Sequence, residues 1–444
     1  MKVLKFGSSA ISSIEQFNKI ADIIRNESDK KIVVLSAMEG TTHALEEIAD
    51  YLYKKNPDGA KELISALEQK YYRFAEELFN GKKEKEEILQ YILDTFSVIR
   101  GYSDEIFTLF EEKRIIALGS QICTHLMTAY LSACGTVCEN ISALKFMKID
   151  KNEEPDEFFI RTELKEILAF YEGKEINTFI TEGSVCRNAY NEVDLLGKGG
   201  NDYTAALIGA VLRTNIIELW SDSIGIYNNN PNIVSGAKHI ESLSFEEAAE
   251  LSYFLTHIIH PTCILPAKLA NVPVRLMNID HPDKQGTLIS TNNPSDGKCP
   301  IKVIAAKDGI ISILIKSSRM LFAHGFLSKV FEVFDQYKTS IDMITTSEIG
   351  VSVTIDNSKN LEAIIDDLKS FGTVSYTKEM TIISVIGSLP ENSVGIQSDA
   401  LSALKEIPIR MISYGGSAHN ISFLVRTKDK SAALQALNKQ LFGI

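Results

Sequence analysis

The first residues of the chain combine a short apolar strand, a turn of small residues and a helical pattern. Residues 2–6 are apolar apart from Lys2 and Lys5, and Gly7-Ser8-Ser9 follows them directly. The same order returns at 31–37, where KIVVLSA leads into a second turn and helix. Repeated strand, turn and helix predict an α/β sheet, because each helix packs on the sheet and returns the chain for the next strand. Further strand patterns lie at 177–181, 215–220 and 272–278.

Shorter elements follow a polar segment, TNNPSDGKCP at 291–300, which we interpret as a linker. A complete ferredoxin-like βαββαβ pattern covers about 310–377. A second such pattern begins at Met380 but lacks one strand, and an unassigned strand pattern, IKVIAA, lies at 301–306. We infer that 301–306 completes the second unit, so that the first unit is inserted into it.

Composition excludes several classes of protein. A chain of 444 residues exceeds the usual size of a single core, so two or three domains are expected. Its formal net charge of -12 argues against a nucleic-acid partner. No apolar run approaches a membrane span, and the first residues become polar too early for a secretory signal, so we expect a cytoplasmic protein. The six cysteines show no metal-site spacing and are expected to be reduced, and no metal ligands are predicted.

Two glycine turns are candidates for phosphate binding. Gly7 follows the first strand, and Gly199-Gly200 opens the helical pattern DYTAALIGA; Lys5 and Lys198 lie beside them. Backbone N–H groups at a helix start attract anions, and a lysine adds positive charge for phosphoryl transfer. Tight turns with solvated lysines are the alternative. Neither a P-loop nor a GxGxxG turn occurs, so neither a P-loop enzyme nor a dinucleotide-binding oxidoreductase is indicated.

Ordered segments across nearly the whole chain resemble the signatures of aspartokinases. They are KFGSSA (5–10), VVLSAMEGTTHAL (33–45), GKGGNDYTAAL (197–207), WSDSIGIYNNNPNIV (220–234), EEAAELSYFLTHIIHPTCILPAKLANVPVRLMN (246–278), GFLSKVFEVFDQYKTSIDMITTSE (325–348) and HNISFLV (419–425). The resemblance implies an amino-acid kinase domain at 1–295, with a carbamate-kinase-like sheet sandwiched by helices. It further implies two ACT domains, the first at 308–378 inserted into a second formed by 299–307 and 379–444.

The resemblance also implies an activity and its residues. Such enzymes transfer the γ-phosphoryl group of MgATP to the side-chain carboxylate of aspartate, with Mg²⁺ held through the nucleotide, at the start of lysine, threonine and methionine biosynthesis. Lys5 would stabilise the transferring phosphoryl group, and Asp202 would orient the lysines. The residues implied to bind ATP are Gly7, Ser8, Gly199, Gly200, Ser221, Asp222, Tyr227, Asn232 and His257. Those implied to bind aspartate are Ser36, Thr42, Ser120 and Lys198.

Several positions depart from the family pattern. Serine stands in place of a glycine at Ser8, of a glutamate at Ser120 and of an aromatic residue at Ser184. Lys198 replaces the arginine that clamps aspartate in the family, and Asn201 replaces a small hydroxyl residue. Asn232 replaces an arginine, and His257 replaces a lysine. A lysine keeps the charge but loses the two-pronged geometry of arginine. Three hypotheses remain: an active, feedback-regulated aspartokinase, a regulatory homologue without catalysis, and an amino-acid kinase with another substrate.

The first ACT-type unit resembles the lysine-binding unit of lysine-inhibited aspartokinases. Asp342 and Glu348 would pair with ammonium groups, and N–H groups near Gly325 would receive the carboxylate. The resemblance implies an effector site formed by Met320, Gly325, Phe326, Leu327, Ile341, Asp342, Ser347 and Glu348. It also implies a homodimer through ACT domains. The alternative is an ACT fold without a ligand, since fold alone does not establish binding.

Overall fold

The computed structural model describes residues 1–104, 107–223, 225–255, 258–291, 300–317, 324–389 and 394–443. They form two compact units. The first unit comprises 1–225, 241–245 and 255–293, and the second comprises 226–240, 246–254 and 294–444. The predicted linker lies mostly outside the described residues, and the predicted domain boundaries stay a prediction.

The strands, numbered in chain order, are β1 (Lys2–Phe6), β2 (Lys31–Leu35), β3 (Cys138–Asn140), β4 (Thr178–Glu182), β5 (Val185–Arg187), β6 (Val193–Leu195), β7 (Ile216–Ser221), β8 (Ser242–Leu243), β9 (Val274–Asn278), β10 (Thr287–Ile289), β11 (Ile301–Lys316), β12 (Ile344–Ser347), β13 (Gly350–Ile355), β14 (Thr373–Gly387), β15 (Met411–Ser413) and β16 (Asn420–Arg426). The helices are α1 (Ile14–Asn26), α2 (Thr41–Tyr53), α3 (Pro57–Leu78), α4 (Lys85–Gly101), α5 (Leu109–Ala133), α6 (Glu157–Phe170), α7 (Gly200–Leu212), α8 (Phe245–Ser252), α9 (Pro261–Ala270), α10 (Phe326–Gln336), α11 (Leu361–Leu368), α12 (Ile396–Ala403) and α13 (Lys430–Phe442).

The first unit contains a largely parallel sheet in the order β3-β4-β2-β1-β7-β9-β10-β8. Within this sheet the neighbouring strands β3, β4, β2, β1, β7 and β9 are parallel, whereas β10 runs antiparallel to β9. β1 lies between β2 and β7, with Phe6 in register with Leu35 on one side and Trp220 on the other. From β1 the chain continues to β2 on one side of the sheet and later to β7 on the other, so the order of strands reverses at β1. In open α/β sheets, ligands bind at the carboxyl ends of the strands where the order reverses. The predicted α/β sheet is therefore confirmed.

One large core lies between this sheet and the helices α1 to α5. α1 begins after Ser13, whose hydroxyl accepts a hydrogen bond from the N–H of Gln16. Its buried residues, Phe17, Ile20, Ala21 and Ile24, recur at spacings of three and four, which places them on one face. α7 packs against β1 and α9. These contacts hold β1 and the start of α7 in fixed positions.

The second unit contains an antiparallel sheet in the order β12-β13-β11-β14-β16-β15. Its two central strands, β11 and β14, are long. The first half of β11 pairs with the second half of β14, and the second half of β11 pairs with the first half of β14. The two larger hydrophobic cores of this unit lie with α10 and α11 and with α12 and α13, and a smaller cluster includes Met343, Met380 and Met411. The sequence predicted separate strands at 301–306 and 310–315, but the structure joins them in β11. It likewise joins 373–377 and the strand from Met380 in β14.

Candidate active site

The carboxyl ends of β1, β2 and β7 bring together three segments that are distant in sequence. The N–H of Gly7 donates to Trp220 O at 3.4 Å, and the N–H of Ser36 donates to Phe6 O at 3.2 Å. Ser221, the last residue of β7, lies at the same edge. Asp222 follows it, and its Oδ1 accepts a hydrogen bond from Ser9 Oγ at 3.1 Å. Most of the residues predicted from the first strand and from β7 therefore lie at one sheet edge.

Lys5 and Asp202 form an ion pair at this edge, although 197 positions separate them in the sequence (202 minus 5). Lys5 Nζ lies 2.5 Å from Asp202 Oδ1, with side-chain exposures of 14% and 12%. Asp202 stands in the first turn of α7, where the partial positive charge of the helix start favours a carboxylate. Its other oxygen, Oδ2, accepts from the N–H of His260 at 3.3 Å. Lys5 is thus held with its charge near the ends of β1 and α7.

The glycines before α7 are required by their surroundings. Gly199 precedes the helix at φ +76°, and a Cβ atom there would lie 2.1 Å from the His260 ring. A Cβ atom on Gly200 would lie 2.6 Å from Ser184 Oγ. No side chain fits at either position without displacement, and φ near +76° is a conformation that glycine adopts readily. The turn therefore brings the backbone of Gly199 to the cavity described next.

A cavity of about 190 Å³ lies at this edge of the sheet. The predicted residues that line it are Lys5, Gly7, Ser8, Ser36, Gly199, Asp202 and Ser221. Ser36 is 2% exposed, and its hydroxyl has no hydrogen-bond partner among the described residues. A buried hydroxyl without a partner is costly, so this oxygen is free to bind a ligand in the cavity. A larger cavity of about 560 Å³ is lined by Leu4 and Trp220 and contains none of the predicted residues.

His260, which also lines the smaller cavity, was not among the predicted residues. Its ring caps α9 by accepting from the N–H of Thr262, and Pro261 follows it as the first helical residue. Burial lowers the pKa of His260; Lys198 also lowers it, while Asp202 acts in the opposite direction. The imidazole is therefore neutral at pH 7. The His-Pro pair at a helix start was visible in the sequence, but its approach to Gly199 was not.

Two of the positions that depart from the family pattern bind each other. Ser184 Oγ donates to Asn201 Oδ1 at 3.1 Å, and the N–H of Ser184 donates to Thr204 Oγ1 at 3.1 Å. Ser184 itself has φ +63°. Asn201 also lines the cavity, so the pair shapes the wall beside Asp202. The two replacements are chemically complementary, because the hydroxyl at one position satisfies the amide oxygen at the other.

The other predicted substrate and nucleotide residues are more scattered. Lys198 is exposed beside Gly199, and Thr42 is exposed in the first turn of α2. Ser120 is buried within α5, where its hydroxyl donates to Ala117 O at 3.2 Å. Tyr227 and Asn232 belong to the second unit; the Tyr227 ring packs edge-on against His239. His257 lies outside the described residues.

The predicted effector residues come from three parts of the second unit. Gly325, at φ +79°, precedes α10, in which Phe326 is buried and Leu327 is exposed. Ile341 and Asp342 are half-buried before β12. Ser347 Oγ donates to Gly350 O at 3.4 Å in the turn from β12 to β13, and Glu348 is exposed there. Met320 lies outside the described residues.

Neither a metal site nor a membrane helix is found in the described part of the chain. No group of His, Cys, Asp and Glu side chains among those residues is arranged to hold a metal ion. No described helix is both long enough and apolar enough to cross a bilayer.

Family models and known proteins match the chain over nearly all of its length. The amino acid kinase family matches residues 1–278, and an ACT domain matches residues 383–441. Lysine-sensitive aspartokinase 3 of Escherichia coli K12 is 28% identical, with 99% of both chains covered. Chloroplastic aspartokinase 3 of Arabidopsis thaliana is 30% identical over 99% of this chain and 81% of its own.

A solved structure has the same fold throughout. The structure of E. coli aspartokinase III in complex with aspartate and ADP is 27% identical, has a TM-score of 0.83 and is covered completely, as is this chain. These matches confirm the predicted fold class of an amino-acid kinase domain followed by ACT-type structure. The chain belongs to the amino acid kinase family and, within that family, to the aspartokinases.

Proposed function

We propose that this aspartokinase transfers the γ-phosphoryl group of ATP to the side-chain carboxylate of L-aspartate, giving 4-phospho-L-aspartate for amino-acid biosynthesis. One observation carries the proposal. The Lys5–Asp202 ion pair, the glycine turn before α7 and the unpaired hydroxyl of Ser36 line one cavity. A fixed cation, the positive start of a helix and a free hydroxyl suit a reaction between two anions.

Each of these groups has a distinct part in the reaction. Lys5 neutralises charge on the phosphoryl group as it moves from the leaving oxygen of ADP to the attacking carboxylate oxygen. Asp202 holds Lys5 in place, and the N–H group of Gly199 at the start of α7 donates to a phosphate oxygen. Ser36 binds aspartate. Because the substrate carboxylate is already ionised near neutral pH, no general base is required to activate it.

Magnesium would enter with the nucleotide. Phosphate oxygens are suitable ligands for this hard cation, which usually keeps several waters and binds few protein groups. When bound, the ion would neutralise phosphate charge. Asp222, at the end of β7 and next to Ser9, is available to contact the nucleotide or its hydrated cation.

The position of Lys198 favours a second candidate, an amino-acid kinase with a changed acceptor. Lys198 is exposed at the cavity's glycine turn, and it replaces the arginine expected there to clamp a carboxylate. A lysine without the two-pronged grip discriminates less sharply among acidic acceptors. A panel of amino-acid acceptors separates this candidate from an aspartate-specific enzyme.

Regulation, assembly and location complete the proposal. The E. coli relative is named as lysine-sensitive, and here Asp342 just before β12 and Glu348 just after it provide two carboxylates. We infer that a basic amino acid, lysine, inhibits the enzyme through an ACT domain at 308–378 inserted into a second at 299–307 and 379–444. We further infer that the chain forms homodimers through these domains and works in the cytoplasm.

An acyl-phosphate trap tests the activity. Purified full-length protein with MgATP, aspartate and hydroxylamine should yield aspartyl hydroxamate, and Lys5→Ala should reduce the yield at least about a hundredfold. Lys19→Ala is a matched control, because Lys19, on α1, is a partly exposed lysine that pairs with Glu15 and with Asp280. Hydroxamate formed equally by the Lys5 variant would refute the assignment. Turnover only with another acceptor would favour the second candidate.

A further inference from the structure

Asp342 has one carboxylate oxygen without a partner. Its backbone is fixed beside β13, because its N–H donates to Thr354 O at 2.9 Å and the N–H of Met343 donates to Thr354 Oγ1 at 2.9 Å. Asp342 Oδ2 is buried and has no hydrogen-bond partner among the residues that the structure describes. An ionised oxygen in this position is costly to leave unpaired. It is therefore ready to accept a cationic donor.

The side chain that faces this carboxylate is Tyr253, from the segment that follows α8 within the second unit. The Tyr253 hydroxyl is also buried and has no partner at hydrogen-bond geometry among the described residues. Burial and the nearby Asp342 raise the pKa of Tyr253, so the phenol stays protonated and acts as a donor. A small shift of either side chain would bring the hydroxyl into a hydrogen bond with the carboxylate.

The cation nearest to this pair is already engaged. Lys307 Nζ, on β11, lies 3.6 Å from the centre of the Tyr253 ring and 2.8 Å from Asp356 Oδ2. Burial raises the pKa of Asp342 to about 6; the Tyr253 hydroxyl and Lys307 lower it, whereas Asp356 raises it. Lys307 thus holds the aromatic ring in place and pairs with Asp356, leaving Asp342 Oδ2 for another positive group.

We propose that Tyr253 is a positioning residue for the effector, whose hydroxyl keeps Asp342 ionised and oriented to bind the ammonium group of a basic amino acid. The inference rests on the proposed regulation and adds a residue to it.

Calorimetric titration of full-length protein with L-lysine tests the inference, and it needs no turnover. At pH 7.5 Tyr253→Phe keeps the ring over Lys307 but should bind lysine roughly tenfold more weakly, because one hydrogen bond to a charged group is lost. Affinity in the unmodified protein should fall as the pH drops through about 6, where Asp342 protonates. In the Phe variant that fall should begin at higher pH. Tyr376→Phe, whose exposed hydroxyl contacts Glu362, should leave lysine affinity unchanged.

A double-variant comparison separates positioning from general damage. Asp342→Asn keeps the shape of the side chain but removes its charge, and Tyr253→Phe should add no further loss in that background. Additive losses, or normal lysine affinity in Tyr253→Phe alone, would overturn the inference and leave the proposed function standing. Absence of lysine binding by the unmodified protein would overturn both the proposed effector and this inference, while the hydroxamate assay would still report on the kinase.

Discussion

The glycine before α7 provides a sharp test of how the candidate active site is held. Gly199 has φ +76°, and an added Cβ atom would approach the His260 ring to 2.1 Å. The left-handed conformation costs a residue with a side chain about 1–2 kcal/mol. Displacing the ring adds about 1–3 kcal/mol, typical of overpacking. Gly199→Ala should therefore destabilise the first unit by about 2–5 kcal/mol, or roughly 5–15 °C in unfolding midpoint.

The substitution should also lower the rate of catalysis. Gly199 precedes the turn that presents Asp202 to Lys5, so a shift of about 1 Å in this loop should lower turnover roughly a hundredfold. Gly197→Ala is the matched control in the same loop, because Gly197 lacks a positive φ and nothing lies within 4 Å of its added Cβ atom. Thermal unfolding and the hydroxamate assay are measured on both variants. If Gly199→Ala behaves like Gly197→Ala in both assays, the packing argument is wrong.

Two further outcomes are expected. Asp202→Asn keeps the shape of the side chain but removes the partner charge of Lys5, and it should lower the aspartate-dependent rate about ten- to a hundredfold; an unchanged rate would show that Lys5 needs no such partner. Burial raises the pKa of Glu182 above its ordinary value of 4.5, although the N–H of Ala143 donates to it at 2.6 Å. A raised carboxyl pKa in the folded state means that stability falls as the pH rises above 4.5, so Glu182→Gln should raise the unfolding midpoint at pH 8 more than at pH 5. Equal midpoint shifts at both pH values would contradict this account.

The parallel sheet was predictable from the sequence because each strand is short, apolar and followed by a turn and a helix. The carboxyl ends of β1 and β7 then had to meet if those strands were neighbours. What the sequence did not contain was the pairing itself. Lys5 and Asp202 meet because α7 packs on β1, and neither segment alone specifies that contact.

His260 shows a different limit of sequence analysis. The resemblance implied that His257 binds ATP, at a position where a lysine is expected. The importance of His260 arises from contacts with Gly199 and Asp202, which come from a part of the chain almost 60 residues earlier. Such contacts depend on packing, and local pattern does not reveal them.

The split assignment of β11 and β14 has a local cause. Lys307-Asp308-Gly309 resembles a turn, and Gly309 does adopt φ +78°. On the neighbouring strand Glu379 has φ +57°. The ladder shifts register between Lys307 and Ile310, so both irregularities are absorbed by bulges and the strands continue past them. The turn-like sequence forms a bulge because the partner strand is irregular at the same place, at Glu379.

The continuity of β11 and β14 affects how the second unit unfolds. Each long strand passes through both halves of the sheet and contributes side chains to both of the larger hydrophobic cores, so the two halves are joined by continuous strands without a connecting loop. Amide hydrogens on the two long strands should therefore exchange with solvent together, at one opening free energy, rather than as two independent groups.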